Sequence, residues 1–340
     1  MNDTARTLYV IVKRLAHAVI VLLVLSFLVF GFMRAIPGDP VLNLLGEEET
    51  TEEQYQKLHR ELGLDRPYLV QYFNWISHVV QGDFGRSLQT KEPVLPVIWD
   101  KLKATIELAI VAVLLGTIIG LSAGVISAIK RNSIFDTAAM AFSLAGISMP
   151  VFWMGILLII LFSVSLNLLP VSGMISFSTR ITPVTGFPLL DALLTGNWSG
   201  ARDLIAHLIL PAITLGVTPA ALIARTTRAS MLEVINEDYV KAGLARGLSF
   251  GQTLWRHIMR NAMIPVVTVI GLEIGIYLGG SIVTETVFSW PGLGRHMINA
   301  IYSNDYPVVQ GAILVYAFIV VMVNLIVDLT YSTLDPRVKI

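Results

Sequence analysis

The chain has 340 residues, of which 54% are hydrophobic and 14% charged, with a mean hydropathy of +0.70. Soluble domains carry about 25% charge, so a disordered chain, a coiled coil and an ordinary soluble enzyme are excluded, and a polytopic helical membrane protein is indicated. Lys and Arg number 24, as do Asp and Glu, so no net basic field invites nucleic acid, and the lack of cysteine removes disulfides, thiolate metal sites and Cys nucleophiles.

About 20 apolar residues at 1.5 Å each cross the hydrocarbon layer. Six stretches qualify: Leu15 to Met33, Leu108 to Ile129, Ala138 to Ser165, Leu204 to Ala224, Ala262 to Thr284 and Val308 to Tyr331. The first is read as an uncleaved signal-anchor, since its apolar run is too long for a signal peptide and no small-x-small cleavage site follows it. Segments 1–14, 130–136, 225–261 and 332–340 carry 13 Lys/Arg in 67 residues, whereas the short segments on the other side carry 3 in 61. The positive-inside rule therefore puts both termini and the 225–261 loop in the cytoplasm.

The outer segment 34–103 is long enough to fold. Thr51 and Gln54 form a capping box before Tyr55, Leu58 and Leu62, a stripe ended by Gly63. Pro67 opens a second stripe, Leu69, Tyr72, Phe73 and Ile76, which stops near Gly82. Two short helices on the outer membrane surface are expected, and segment 166–203, rich in Pro, Gly and Thr, reads as an irregular cap. Gly116, Gly120 and Gly124 in the second span, and Gly271, Gly275 and Gly279 in the fifth, repeat every four residues, so each set marks a helix face for close backbone packing. Pro150, Pro211 and Pro219 are expected to kink their spans.

Several chemistries are missing. The chain has no P-loop and no His-Glu-x-x-His zinc motif, and Gly292-Leu293-Gly294 is not a dinucleotide fingerprint. Ser148 and His207 could be imagined as an intramembrane nucleophile and base, but a packing serine is the simpler reading, and Asp328 has no second intramembrane aspartate. Asn324 and Asp328 are expected to bond neighbouring helices. Trp290, in the turn after the fifth span, is expected to be structural, as an interfacial anchor. Glu273 stands near the middle of the fifth span, where a carboxylate costs roughly 2.5–3.5 kcal/mol. On a helical wheel it lies opposite the glycine face, beside Tyr277 and Gly280, and these three are candidates to line a path between subunits, with a carboxyl bonded to a partner helix as the alternative.

The 225–261 loop is the most informative stretch. Asp238 to Arg246 can form a short helix that stops at Gly247, and Ser249 with Gln252 caps a further helix running into the fifth span. Small residues Ala242, Gly243 and Ala245 suit docking in a partner's groove. The loop could also lie on lipid headgroups, and a DNA-binding helix-turn-helix is disfavoured by its tether between spans. The register Lys241-Ala242-Gly243-x-x-x-Gly247 resembles the EAA loop of ABC importer permeases, with Lys241 where the general pattern has Glu. Asp238-Tyr239-Val240, Ala245-Arg246-Gly247-Leu248 and Arg256-His257-x-x-Arg260-Asn261-Ala262 are similar to the peptide/nickel subfamily, as are Ile36-Pro37-Gly38-Asp39-Pro40, Gly82-Asp83-Phe84-Gly85, Thr284 to Gly294 and Asp335-Pro336-Arg337.

That resemblance implies an all-α, six-span, type I permease fold. It divides into an N-terminal tail and first span (1–33), a periplasmic segment (34–103), a permease core with the coupling loop 225–261 (104–331) and a cytoplasmic tail (332–340). It implies a bacterial inner-membrane transport subunit, not an enzyme, importing dipeptides or short peptides. Its implied partners are a paralogous permease, two ABC ATPases that bind the ATP and Mg, a periplasmic or lipid-anchored peptide-binding protein, and membrane lipid. Asp238, Tyr239, Lys241, Ala242, Gly243, Ala245, Arg246 and Gly247 would contact the ATPases. Nickel, glutathione, oligopeptides or haem are alternative substrates within the subfamily, and a membrane-embedded enzyme or sensor is the alternative from another class.

Overall fold

The computed structural model describes residues 3–35, 41–42, 51–61, 63–278 and 281–334, and side chains within 12–325 of these. Every regular element among them is helical. In chain order these are α1 (Asp3–Ala35), α2 (Glu52–Glu61), α3 (Tyr68–Val80), α4 (Val94–Ile129), α5 (Ile134–Ser148), α6 (Val151–Leu158) with a π-helical extension (Ile159–Ser165), α7 (Pro188–Leu194), α8 (Trp198–Ile235), α9 (Asp238–Ala245), α10 (Phe250–Thr253) followed by a π-helical turn (Leu254–Ile258), α11 (Met259–Leu278), α12 (Ile282–Val287), α13 (Leu293–Tyr302) and α14 (Tyr306–Leu334).

Among the described residues five helical runs are long and apolar enough to cross a bilayer: Val12–Ala35, Val94–Ile129, Trp198–Ile235, Phe250–Leu278 and Tyr306–Leu325. The sixth stretch differs from a simple span. α5 and α6 meet at Met149-Pro150 with a bend of 111°, so Ala138 to Ser165 is a broken pair and not one rod. Pro150 precedes the first residue of α6 with φ −58°; a proline lacks the N–H that would continue the ladder. Pro211 and Pro219, by contrast, stay inside one unbroken helix of 38 residues. The fifth span is described as far as Leu278, and Ile282–Val287 is assigned as a separate short helix, with Ser281 before it outside helical geometry.

The chain divides into two compact units, residues 104–291 and residues 1–103 with 292–340. In the discontinuous unit, α1 packs against α14 and is crossed by α3. Tyr72 is the pin: its ring meets Phe27 and Phe30 edge-on, and its hydroxyl hydrogen-bonds Ser26 at 2.9 Å. Leu69 and Phe73, on the other face of α3, are exposed. The Thr51/Gln54 capping box opens α2, Pro67 precedes α3, and Gly63 and Gly82 adopt φ of +66° and +84°. Asp305, just before α14, accepts hydrogen bonds from Ser87 Oγ and from the Leu88 and Gln89 amides, tying the loop after α3 to the last span.

In the continuous unit α8 is the axle. Its buried residues include Leu204, Leu208, Leu215, Ile223 and Met231. Gly116, Gly120 and Gly124 of α4 lie against it so closely that an added Cβ would fall 2.7 Å from Gly216 O, 2.6 Å from Ala220 O and 2.7 Å from Ala224 O. Gly216 reciprocates against Ala112 O at 2.7 Å. Two small-residue stripes therefore face each other, Ala112-Gly116-Gly120-Gly124 and Gly216-Ala220-Ala224, and dispersion between close backbones holds the pair in lipid.

Candidate functional site

The Ile129 end of α4, the Ile134 end of α5 and the Ile235 end of α8 are joined by an ion pair. Asp136 sits in the first turn of α5, and its carboxylate accepts from Arg228 Nε at 2.6 Å and Nη2 at 2.8 Å, from the Asn132 amide at 2.9 Å and from Ser127 Oγ. Every lone-pair direction is used, as a buried carboxylate requires, and the bidentate fork fixes geometry as well as charge. Charge counting along the sequence assigned Arg228 to the cytoplasmic side without finding this partner. The signal available was a carboxylate at the start of a long apolar run, three residues after Ser133.

Beyond that clamp the chain turns through α9. Val240 of α9 is buried in a cluster with Ala128, Met231, Leu254, Ile258 and Ala262, so the short helix rests on the inner ends of α4, α8 and α11. Gly247 ends it with φ +87°, where only glycine sits without strain, and the amides of Gly247 and Leu248 close onto Leu244 O and Gly243 O. The Ser249/Gln252 capping box then starts α10. Asn261 Nδ2 donates to Tyr239 Oη at 2.9 Å, a second tie between α9 and the fifth span.

Asp238, Tyr239, Lys241, Ala242, Ala245, Arg246 and Gly247 are exposed and form one outward surface. Gly243 departs from the expected set. It is buried, 3.4 Å from Leu248 Cδ1 at its Cβ position, because it lies three residues from Val240 on the inner face. Lys241 and Asp238 form an exposed ion pair at 3.1 Å, a contact of little stabilising value.

Within the fifth span the wheel argument placed Glu273 opposite the glycines, as a candidate to line a path between subunits or to bond a partner helix. In the structure Glu273 is buried within the chain. Ala262, Val266 and Glu273 are buried, and Tyr277 continues their stripe to lie beside Thr218 of α8 and the Glu273 carboxyl. Gly275 on the opposite side is buried as well, while Gly271 is partly exposed, so the two faces do not separate into packed and open. Gly279 and Gly280 lie outside the described residues. Leu272, Ile274 and Ile276 are the exposed positions, and Ile274 lines an apolar groove of about 290 Å³ with Ile110, Val113 and Leu114 of α4.

The loop after the fifth span is also inward. Trp290 is fully buried, its indole N–H donating to Ala104 O at 2.9 Å in a cluster with Leu108, Leu208 and Leu215. It is a core residue and not an interfacial anchor. Glu285, equally buried, accepts from Thr105 Oγ1 at 2.7 Å. His207 is occupied too: its Nδ1 hydrogen-bonds Asp203 O at 2.8 Å within α8. No group of three or more His, Asp or Glu able to hold a metal occurs among the described residues. Asn324 is exposed, and the Asp328 side chain lies outside those described.

Comparison with known proteins accords with this geometry. Residues 116–340 match the family described as the binding-protein-dependent transport system inner membrane component, and residues 7–109 match its N-terminal family. The dipeptide transport system permease protein DppB of Escherichia coli K12 is 46% identical over 332 residues, covering 97% of this chain and 98% of that protein. The di/tripeptide transport system permease protein DppB of Pseudomonas aeruginosa is also 46% identical, and the glutathione transport system permease protein GsiC of E. coli K12 is 38% identical, each with 97% of this chain and 98% of the relative covered. Among solved structures, the inward-facing MetNI methionine ABC transporter superposes with a TM-score of 0.53 at 18% identity, covering 72% of this chain and 99% of that one, and supports the fold. The helical architecture and these matches together make the chain a multi-pass inner-membrane permease subunit of the ABC importer family, working with ATPases and a substrate-binding protein.

Proposed function

We propose that this permease imports dipeptides and short peptides, and that α9 is the element through which ATP hydrolysis in partner subunits drives it. The substrate class is supported by near full-length identity of 46% to permeases named for dipeptides and di/tripeptides, against 38% to one named for glutathione. The coupling role rests on one observation. α9 presents seven exposed residues outward while its inner face is seated on the ends of three helices, so force on it passes to α4, α8 and α11 without intervening slack. In this reading the termini and the 225–261 loop are cytoplasmic, a paralogous permease completes the pore, and ATP and Mg belong to two ATPases. Closure of the ATPases displaces α9, and the helices carry that displacement to the pathway in an alternating-access cycle. Residues 34–103 are the periplasmic segment and 332–340 a cytoplasmic tail.

Gly247 supplies the test. Its Cβ position is open, so a side chain meets no neighbour, and the positive φ costs a non-glycine residue roughly 1–2 kcal/mol. Gly247→Ala should assemble and transport with modest loss. Gly247→Arg carries similar strain but places a bulky cation on the outward surface, and should lose ATPase binding and peptide uptake. Equal uptake by the two variants would overturn the coupling assignment.

A further inference from the structure

The discontinuous unit contains a polar pocket that the transport reading does not use. Its cavity, about 250 Å³, lies at the Ala35 end of α1 and the Tyr306 end of α14, beneath α3. Arg34 is its half-buried cation, and Arg66, also in the lining, is exposed. The guanidinium stacks 4.3 Å over the Phe30 ring and 5.9 Å from that of Tyr306, and Nε and Nη2 donate to Gln71 Oε1 at 3.2 and 2.9 Å. Gln71 is itself locked, its amide donating to Leu64 O and Arg66 O. Among the described residues no carboxylate reaches Arg34 and its Nη1 makes no hydrogen bond. Gln310, 3% exposed, also lines the cavity, and its Nε2 donor has no partner among them. A buried amide donor left unpaired beside a guanidinium, with no acid among the lining residues, is a site built for an anion.

What lies next to it says which anion. α1 and α14 meet along one seam. Residues 30 and 34 of α1 and 306, 307 and 310 of α14 line the polar pocket. About one to three turns further along the same faces, Val19, Leu23 and Ser26, with Leu314 and Phe318, line an apolar groove of about 530 Å³. Ser26 is the one polar residue of that groove, and its hydroxyl is satisfied by Leu23 O and Tyr72. A guanidinium and an unpaired amide donor at one end of an apolar seam between two membrane-spanning helices match a phospholipid, phosphate on the donors and acyl chain along the apolar groove. We propose that this seam binds an anionic phospholipid, its headgroup phosphate on Arg34 and Gln310 and one acyl chain in the groove between α1, α3 and α14.

The test uses the assembled transporter in nanodiscs of phosphatidylcholine containing photoreactive phosphatidylglycerol. Cross-links should concentrate in peptides spanning 15–34 and 306–319, and cross-linking elsewhere with these peptides unlabelled overturns the proposal, whatever the variants do. Arg34→Gln removes the charge and keeps a donor, while Leu314→Trp fills the groove and leaves the cationic pocket untouched. Each should lower phosphatidylglycerol retained through purification by on the order of tenfold, for loss of a charged hydrogen bond or of the acyl slot. Added dipeptide or inorganic phosphate distinguishes the other sources of an anion. If either protects the pocket from labelling while Leu314→Trp retains lipid normally, the site takes a free carboxylate or phosphate and the lipid assignment is wrong.

Discussion

The glycine seam between α4 and α8 allows a quantitative test of how the continuous unit is held together. Gly120→Ala places a Cβ 2.6 Å from Ala220 O and 2.9 Å from Ile223 Cβ. Both neighbours are backbone or backbone-fixed, so no side chain can swing aside. Ordinary contact begins near 3.4 Å, and the helices must separate locally by roughly 0.8 Å, a gap that forfeits about a quarter to a half of the dispersion at each affected contact. Overpacking of this kind costs about 1–3 kcal/mol. Alanine returns up to about 1 kcal/mol of helix propensity over glycine. The net loss is therefore about 0–2 kcal/mol, and melting of the purified transporter should fall by up to about 8 °C at ~2–4 °C per kcal/mol. Relative to a glycine-to-alanine change that meets no neighbour, the loss is about 1–3 kcal/mol. Gly31→Ala is the control: it makes the same change within a membrane helix, with nothing within 4 Å of the new methyl. It should be neutral or slightly stabilising. Equal melting temperatures for Gly120→Ala and Gly31→Ala, by fluorescence-detected size-exclusion after heating, would refute close packing as the basis of the α4–α8 pair.

Asp136→Asn should destabilise by about 1–3 kcal/mol, because the half-buried Arg228 loses its carboxylate partner; Asp136→Leu with Arg228→Met should recover much of that loss in the same melting assay. Asp191, outside the spans, is pushed up by burial but held lower on balance by hydrogen bonds from Thr185 Oγ1 and the Thr185 and Gly186 amides, leaving its carboxyl below the ordinary range. Its stabilisation is present above about pH 4 and fades as pH falls through the depressed value, so Asp191→Asn should lower stability at neutral pH and flatten the acid limb of a pH–melting profile. Orientation can be read without background in a chain lacking cysteine: Ser199→Cys, exposed beside the Asn197 cap of α8, should label from outside intact cells, and Asn236→Cys should not. Glu273→Gln should assemble and transport normally between about pH 5 and 8, since the side chain is buried within the chain; slowed transport with intact assembly would return Glu273 to the substrate path.

Much of this protein is legible in one dimension. Membrane spans declare themselves because lipid leaves a helix no alternative to long apolar runs. The capping boxes at Thr51 and Ser249, and the stops at Gly63, Gly82 and Gly247, are local chemistry between residues three or four apart, so they too are written in the sequence. The tertiary structure decided the rest. A helical wheel locates Glu273 and Gly275 on opposite faces but cannot say that both faces are covered, which depends on how neighbouring helices pack around α11. Trp290 reads as an interfacial anchor until the fold supplies Ala104 O as its acceptor from 186 residues away. Asp136 found Arg228 across 92 residues, and Gly243 turned inward once Val240 had a core to enter. Helix-forming and helix-ending interactions are short in sequence and need only local geometry. Burial and long-range pairing are properties of the packed chain, and they determine which candidate residues meet a partner and which are already spent holding the protein together.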